Sequence, residues 1–327
     1  MGCFLTNSSL GRKLVMSITG CFLVICVLFH MSMNVVALIS TDGYNSICKF
    51  LGANWYALVA TVVLAGGVLV HFIYAFWLTL QNRKARGNVR YAVTVTEKGV
   101  DWSSKNMLVL GIIVILGLGL HLTHFWAKMQ LVEITSHGID GWHQYEGASV
   151  PPTAGTLFIQ EVFSQWWVLV TYLIGFVALW FHMTHGFWSM FQSIGWDSTA
   201  WIPRLKKISD WWTTIVVGLF AIQAVVFYVQ AQDNFYINDK DLEKQYIESF
   251  QEHFKTEAEN MDQMSEEAQT LVQKYQESLE KFTPTVKAEA EAQQKAQQEA
   301  QQKAYEEYMK QQAAAQAATE TNEEPQN

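Results

Sequence analysis

The chain has 327 residues, half of them apolar, with a net charge of -8 and a mean hydropathy of only +0.08. These averages conceal two unlike parts: residues 1–231 carry 13 Lys and Arg against 9 Asp and Glu, whereas residues 232–327 carry 9 against 21. All 13 tryptophans lie in the first part, many near the ends of apolar runs, as in the aromatic belts of membrane helices. The composition therefore excludes a uniformly soluble protein and predicts an apolar body with an acidic tail.

Five stretches of the body are long and apolar enough to cross a membrane as helices, which requires about 20 mostly apolar residues each. We predict them at residues 14–39, 55–80, 106–127, 166–191 and 211–231. No Asp or Glu falls in the middle of any stretch, so histidines are the only ionisable side chains there. The fold class predicted for residues 1–231 is an all-α integral membrane bundle of five transmembrane helices.

Basic residues are concentrated in alternate connections between these stretches. They are Arg12 and Lys13 before the first stretch, Arg83, Lys84, Arg86, Arg90, Lys98 and Lys105 between the second and third, and Arg204, Lys206 and Lys207 between the fourth and fifth. The positive-inside rule then predicts a cytoplasmic N-terminus. The same rule places residues 232–327 on the outer side of the membrane.

The acidic tail, residues 232–327, contains two helical patterns. Apolar residues recur at spacings of three and four, namely Met261, Met264, Ala268, Leu271, Tyr275, Leu279 and Phe282, in a heptad-like stripe. Beyond Pro284 an Ala/Gln/Glu/Lys-rich run has high helix propensity and little to bury. We predict a solvated helical or coiled-coil tail, disordered in part, and expect deletion of residues 240–327 to leave the bundle intact.

Four of the apolar stretches carry a histidine deep inside them: His30, His71, His121 and His182. An intramembrane imidazole is energetically expensive and by default marks a functional site. Counting 1.5 Å per residue from the basic ends places His30 and His121 in an outer layer and His71 and His182 in an inner layer. Two neutral imidazoles can fill both axial positions of a haem. The pattern therefore predicts two stacked haems b, with their iron as the bound metal.

Spacing alone leaves two ligand choices open. His124 follows His121 by three residues, and His185 follows His182 by three. Residues three apart lie on neighbouring faces of a helix, so either member of each pair could face inward.

Three glycines are placed where a flat ring would need room beside a helix. Gly20 and Gly111 precede His30 and His121 by ten residues each, which is about 15 Å along a helix axis. Gly186 follows His182 by four residues, on the same helical face. These positions are predicted to line the haem pockets.

Four local patterns in this chain resemble those of the five-helix, two-haem cytochrome b subunit of bacterial succinate dehydrogenases and fumarate reductases. They are Ser17-x-Thr19-Gly20 ten residues before His30, His71 within VHFIYAFW, Gly111 ten residues before His121-Leu122, and His182-x-x-x-Gly186-Phe187-Trp188. The resemblance covers about residues 10–231 and leaves the tail outside. It adds Ser17 and Thr19 to the expected haem pockets.

The resemblance selects His121 and His182 as ligands over their neighbours three residues further on. It assigns His71 and His182 to the haem nearer the dehydrogenase, and His30 and His121 to the outer haem. Trp180 stands where one branch of the family carries a glutamate associated with proton passage, so the chain departs from that branch there.

The resemblance also implies a bacterial inner-membrane location with a periplasmic tail, together with partners and a reaction. An iron–sulfur subunit docks on the cytoplasmic face and in turn binds a flavoprotein that oxidises succinate or reduces fumarate. This chain then relays electrons between the iron–sulfur subunit and menaquinone in the lipid bilayer. The chain has no cysteine spacing for an iron–sulfur cluster and no Gly-rich dinucleotide loop, so the succinate chemistry belongs to the partners. No nucleic-acid partner is expected, and dimerisation of the complex is left open.

Quinone chemistry moves two protons with two electrons, so side chains that exchange protons are expected near the outer haem. The quinone-site candidates are Asn34, His124, Lys128 and Glu133. His137 and His143, in the connection that follows, are expected to be solvated, with a quinone or proton role as the alternative.

Three other interpretations compete with this one. A cytochrome b of another quinone-linked dehydrogenase or hydrogenase would tend to pair its ligands on shared helices, whereas here four helices supply one each. A histidine-dependent membrane transporter predicts helices broken at mid-membrane and repeated halves, and the sequence shows neither. A structural anchor without haem leaves the four histidines unexplained.

Overall fold

A computed structural model describes residues 8–52, 54–86, 101–136, 138–258 and 265–320, and these residues are largely helical. Five helices are long and apolar enough to cross a membrane, which confirms their predicted number. They are α1 (Ser9–Ile39), α3 (Trp55–Arg86), α5 (Met107–His121), α8 (Trp166–Ser193) and α9 (Trp201–Gln232). Five residues named in the sequence analysis lie outside the described residues: Arg90, Lys98, His137, Met261 and Met264.

Two of these helices begin earlier than the apolar stretches predict. The Ser8 hydroxyl accepts a hydrogen bond from the Gly11 amide at 2.8 Å and caps α1 five residues before the predicted start. Helix α9 begins ten residues early because Leu205, Ser209 and Thr213 are buried at a spacing of four, so one face of its polar first half also packs. Helices therefore extend beyond the limits set by hydropathy alone.

Four of the long helices form a ring. Helix α1 packs against α3 and α8, α8 packs against α5, and α3 approaches α5 more weakly. In this ring α1 lies diagonally opposite α5, and α3 lies diagonally opposite α8. Helices on a diagonal make hardly any direct contact. Helix α9 packs outside the ring, against α8 and α1.

The Lys and Arg residues of the alternate connections, where the structure describes them, lie at one end of the ring, which we call the basic end. The Arg12 guanidinium lies 5.6 Å from the centre of the Trp77 ring, which joins the start of α1 to the end of α3. Asp101, just before the short helix α4 (Trp102–Lys105), pairs with Lys206 of α9 at 3.3 Å. The basic residues of separate connections thus lie at the same end.

The opposite end of the ring is covered by a unit that we call the cap. It contains α2 (Thr41–Gly52), α6 (Gln130–Thr135), a 3₁₀ turn (Ile139–Gly141), β1 (His143–Tyr145), β2 (Ala148–Val150), α7 (Gly155–Phe163), α10 (Phe235–Asn238), α11 (Lys240–Ala258) and α12 (Glu266–Phe282). The two strands pair antiparallel, with His143 opposite Val150. Glu146 and Gly147 connect them with φ angles of 50° and 84°, and two-residue hairpin loops favour positive φ at such positions.

The first half of the tail does not form the solvated helix that its pattern predicts. Side chains of the tail share one apolar core with the connection between α5 and α8. The connection contributes Trp142, Val150, Leu157 and Phe158, and the tail contributes Leu242, Tyr246, Phe250, Leu271, Tyr275 and Phe282. The stripe at residues 268–282 therefore packs, in the described structure, against a hairpin and α11. Helix α13 (Pro284–Glu320) follows the cap.

A candidate paired-histidine site inside the bundle

The four histidines predicted as ligands meet in two pairs across the diagonals of the ring. The rings of His30 on α1 and His121 on α5 have centroids 5.6 Å apart and planes at 83°. Those of His71 on α3 and His182 on α8 have centroids 6.3 Å apart and planes at 69°. Because helices on a diagonal hardly touch otherwise, each pair of imidazoles bridges the central gap of the ring.

The two pairs lie at different levels of the bundle. A Cβ added at Gly20 would lie 3.6 Å from His71 Cε1, and one added at Gly111 would lie 3.6 Å from His182 Cε1. The helices that carry His30 and His121 thus present glycine at the level of the other pair. Ten residues separate each glycine from the histidine on its own helix, so the levels are about 15 Å apart.

The spacing within each pair fits one shared metal ion. A metal–imidazole nitrogen bond is about 2 Å long and the ring centroid lies roughly 1 Å behind that nitrogen, so opposed ligands place their centroids about 6 Å apart. Among the described residues, no group of three or more His, Cys, Asp and Glu side chains is arranged to hold a metal ion. Each pair supplies two imidazoles, fewer than the three or four protein ligands of a tetrahedral zinc site.

Gly186 and His182 lie four residues apart on α8. A Cβ added at Gly186 would meet no described atom within 4 Å, as at several other glycines of the long helices. The Nδ1 atom of His182 is buried without a hydrogen-bond partner in the described part of the chain.

The hydroxyl of Thr19 contacts the His71 ring. Thr19 Oγ1 lies 2.8 Å from the Val15 carbonyl oxygen and 3.1 Å from His71 Nδ1. When the hydroxyl donates its proton to the Val15 carbonyl, its oxygen can accept a hydrogen bond from Nδ1–H of His71. The Nε2 atom of His71 then keeps its lone pair, as a metal ligand must. Ser17, the other predicted pocket residue on α1, is buried.

Asn34 is held by three elements around His30. Its Nδ2 atom donates to the His30 carbonyl oxygen at 2.9 Å and lies 3.3 Å from His30 Nε2. Its Oδ1 atom accepts from Tyr44 of α2 at 3.4 Å and from Gln223 of α9 at 3.3 Å. Metal ligation through His30 Nε2 therefore requires the amide to release the ring. Gln223, absent from the predicted site, could have been found as a lone polar residue in the middle of an apolar stretch.

The neighbouring histidines face other partners. Between His121 and the cap the chain makes a π-helical turn, Leu122–Trp126, a feature common at functional sites. His124 Nδ1 lies 3.1 Å from the Tyr172 hydroxyl, and His185 Nδ1 lies 3.9 Å from a carboxylate oxygen of Asp101. The structure thus brings His121 and His182, and not the residues three further on, against the other two histidines.

Three charged or titratable side chains meet where the bundle joins the cap. Lys128 Nζ lies 2.8 Å from Glu161 Oε1, and His143 Nε2 lies 3.0 Å from each Glu161 oxygen. Burial alone would raise the pKa of Glu161, but the hydrogen bonds from His143 and Lys128 outweigh burial and hold this pKa below its ordinary value. Sequence reasoning missed Glu161 and favoured a solvated His143 over a quinone or proton role, because their contact joins distant segments.

Glu133, the last predicted quinone-site residue, lies apart from this group, against α2. A Cβ added at Gly52 would overlap its carboxylate, so a larger residue there would require the Glu133 side chain to move. Its Oε2 atom is buried with no hydrogen-bond partner among the described residues. Burial raises the pKa of Glu133 from 4.5 to about 7.

We expect the Glu133→Gln variant to lose part of the pH dependence of cap stability. Because the folded-state pKa of Glu133 is raised, the folded protein holds the proton more tightly, and this stabilisation is lost as the pH rises from about 5 through 7. The wild-type free energy of unfolding should therefore fall between pH 5 and pH 8 by on the order of 2 kcal/mol more than that of the variant. Thermal unfolding in detergent at both pH values measures it, with exposed Glu146→Gln as the control. Equal pH dependence in wild type and Glu133→Gln would contradict the prediction.

Comparison of the chain with protein-family models, with curated proteins and with solved structures found no match. The resemblance to two-haem cytochrome b subunits thus rests on the four local patterns in the sequence.

Proposed function

We propose that this chain is the membrane-anchoring, two-haem cytochrome b subunit of a bacterial succinate dehydrogenase or fumarate reductase. The observation that carries the proposal is the meeting of His30 with His121 and of His71 with His182 across the two diagonals of one helix ring. In this proposal His71 and His182 hold the inner haem b, and His30 and His121 hold the outer one.

A membrane location is supported by the surface of the long helices. No residue in the most apolar window of α3 is buried within the chain, and a soluble protein rarely exposes so large a continuous apolar surface. Exposed tryptophans lie near both ends of the bundle, including Trp55 and Trp166 towards the cap and Trp102 and Trp211 towards the basic end. We propose, from the positive-inside rule, that the basic end faces the cytoplasm and the cap faces outside.

In this proposal the protein holds and orients the two haems and sets the distance between them. When bound, a haem with two histidine ligands exchanges single electrons and offers no open coordination position. The four imidazoles would supply the nitrogens that hold the two haems, and Thr19, by accepting from Nδ1–H of His71, would leave Nε2 of that ring free to bind. Gly20 and Gly111 leave room at the inner level.

The two ends of the bundle suit different partners. The basic end, nearer His71 and His182, is proposed to dock the iron–sulfur subunit, which binds the flavoprotein. The end under the cap is nearer His30 and His121 and carries proton-exchanging side chains, among them His124, Lys128 and Glu133. We propose that menaquinone reacts there, because its two-electron chemistry also moves two protons.

The experiment that tests the proposal is a haem count on the complex purified with its native partners. A pyridine haemochrome assay and a dithionite-reduced minus oxidised spectrum should give two haems b per chain. One haem would mean that one level is misassigned, and no haem would overturn the proposal in favour of a transporter or a structural anchor. Succinate should reduce the haems, whereas reduction only by formate or hydrogen would assign the chain to another quinone-linked enzyme.

A further inference from the structure

The tail lies outside the resemblance, yet it controls the position of the β-hairpin in the cap. The Tyr246 hydroxyl of α11 donates to the Ser149 carbonyl oxygen at 2.6 Å, and the Ser149 amide donates to Ser278 Oγ of α12 at 3.1 Å. Phe282 stacks on Tyr145 with ring centroids 6.2 Å apart. Both backbone polar groups of one β2 residue are therefore bound by tail side chains.

The hairpin in turn places His143. This residue lies on β1 opposite Val150, which is completely buried in the core shared with the tail. The His143 ring packs 5.7 Å from Phe158 and bonds Glu161, both on α7. A shift of β2 would move β1 with it, so the contact between His143 and Glu161 depends on the tail.

Further titratable groups face Glu161 from the elements packed against it. Lys128 bonds it directly, while His124 and Tyr145 interact with it electrostatically. His124 also interacts with Lys128 and contacts the Tyr172 hydroxyl inside the bundle. Proton-carrying side chains thus extend from the cap to the level of the outer histidine pair.

We propose that His143, Glu161 and Lys128 form a proton-exchange site for the quinone reaction, and that the tail is part of this site because it holds the hairpin. This inference rests on the proposed function. Oxidation of a quinol releases two electrons to the proposed haems and one proton from each hydroxyl. Reduction of the quinone takes up two electrons and two protons. Histidine is the side chain that exchanges protons near neutral pH, and the Glu161 carboxylate orients its ring. The His143 imidazole then carries protons between the bundle and the outside.

The test compares His143→Gln and Glu161→Gln with His253→Gln, a cap histidine that bonds the Ser249 carbonyl instead. Quinol-linked electron transfer in the purified complex is measured from pH 5.5 to 8.5, with haem content counted in each sample. We expect His143→Gln and Glu161→Gln to lower the rate of electron transfer by tenfold or more and to alter its pH profile, with two haems retained. Glu161→Asp should restore part of the rate. His253→Gln should match the wild type.

A second variant tests the role of the tail. Tyr246→Phe combined with Ser278→Ala should change the pH profile in the same direction as His143→Gln. It should also raise hydrogen–deuterium exchange of the amides in residues 143–150, which does not depend on turnover. An unchanged pH profile in His143→Gln, with two haems present, would overturn this inference alone. Absence of haem from the wild type would overturn the proposed function.

Discussion

Replacing His182 with alanine should halve the haem content of the complex, from two haems b per chain to one. The substitution removes one of the two imidazoles at the inner level and leaves His71 with no histidine at 6.3 Å. His185 does not replace it, because its ring faces Asp101 at the basic end. Loss of one axial nitrogen removes half of the protein–iron bonding at that site, whereas the outer pair, about 15 Å away, keeps both of its ligands.

The measurement is a pyridine haemochrome count on the purified variant. His185→Ala and His124→Ala are matched controls, since each removes an imidazole three residues from a predicted ligand, and both should retain two haems. Two haems in His182→Ala would show that residues other than His182 hold the inner haem. Loss of a haem in His124→Ala would move the outer ligand from His121 to His124.

Deleting residues 240–327 should prevent the cap from folding. The deletion removes six large side chains from the cap core, namely Leu242, Tyr246, Phe250, Leu271, Tyr275 and Phe282. A buried apolar side chain of this size contributes about 1.5–3 kcal/mol, so the combined loss is comparable to the 5–15 kcal/mol that stabilises a typical domain. We therefore expect the connection at residues 127–165 to become protease-sensitive and the amount of chain in the membrane to fall.

A shorter deletion provides the control. Removing residues 293–327 keeps the start of α13, where the amides of Thr285 and Val286 donate to the buried Glu243 carboxylate at 3.2 and 3.0 Å. This variant should resist protease as the wild type does. Equal protease resistance after deletion of residues 240–327 would show that the connection folds without the tail.

The number of long helices could be predicted from the sequence because the length of an apolar run and the 1.5 Å rise are local properties. The same local arithmetic assigns Gly20 and Gly111 to the level of His71 and His182, and in the structure a Cβ added at either glycine would lie 3.6 Å from one of those rings. The predicted helix ends were less accurate than the predicted number of helices. The burial that extends α9 back to Trp201 depends on neighbouring helices.

Pairing between distant segments was decided only by the tertiary structure. Spacing left His121 and His124 equivalent, and the packing of α5 against α8 turns His124 to Tyr172 and leaves His121 facing His30. An apolar stripe indicates that a helix face is buried but not what covers it, so the docking of α12 on the hairpin was not predictable. The bonds from His143 and Lys128 to Glu161 likewise join segments 18 and 33 residues apart. The sequence by itself determined the long apolar helices and singled out the four histidines inside them, whereas the partners of side chains depended on which helices became neighbours.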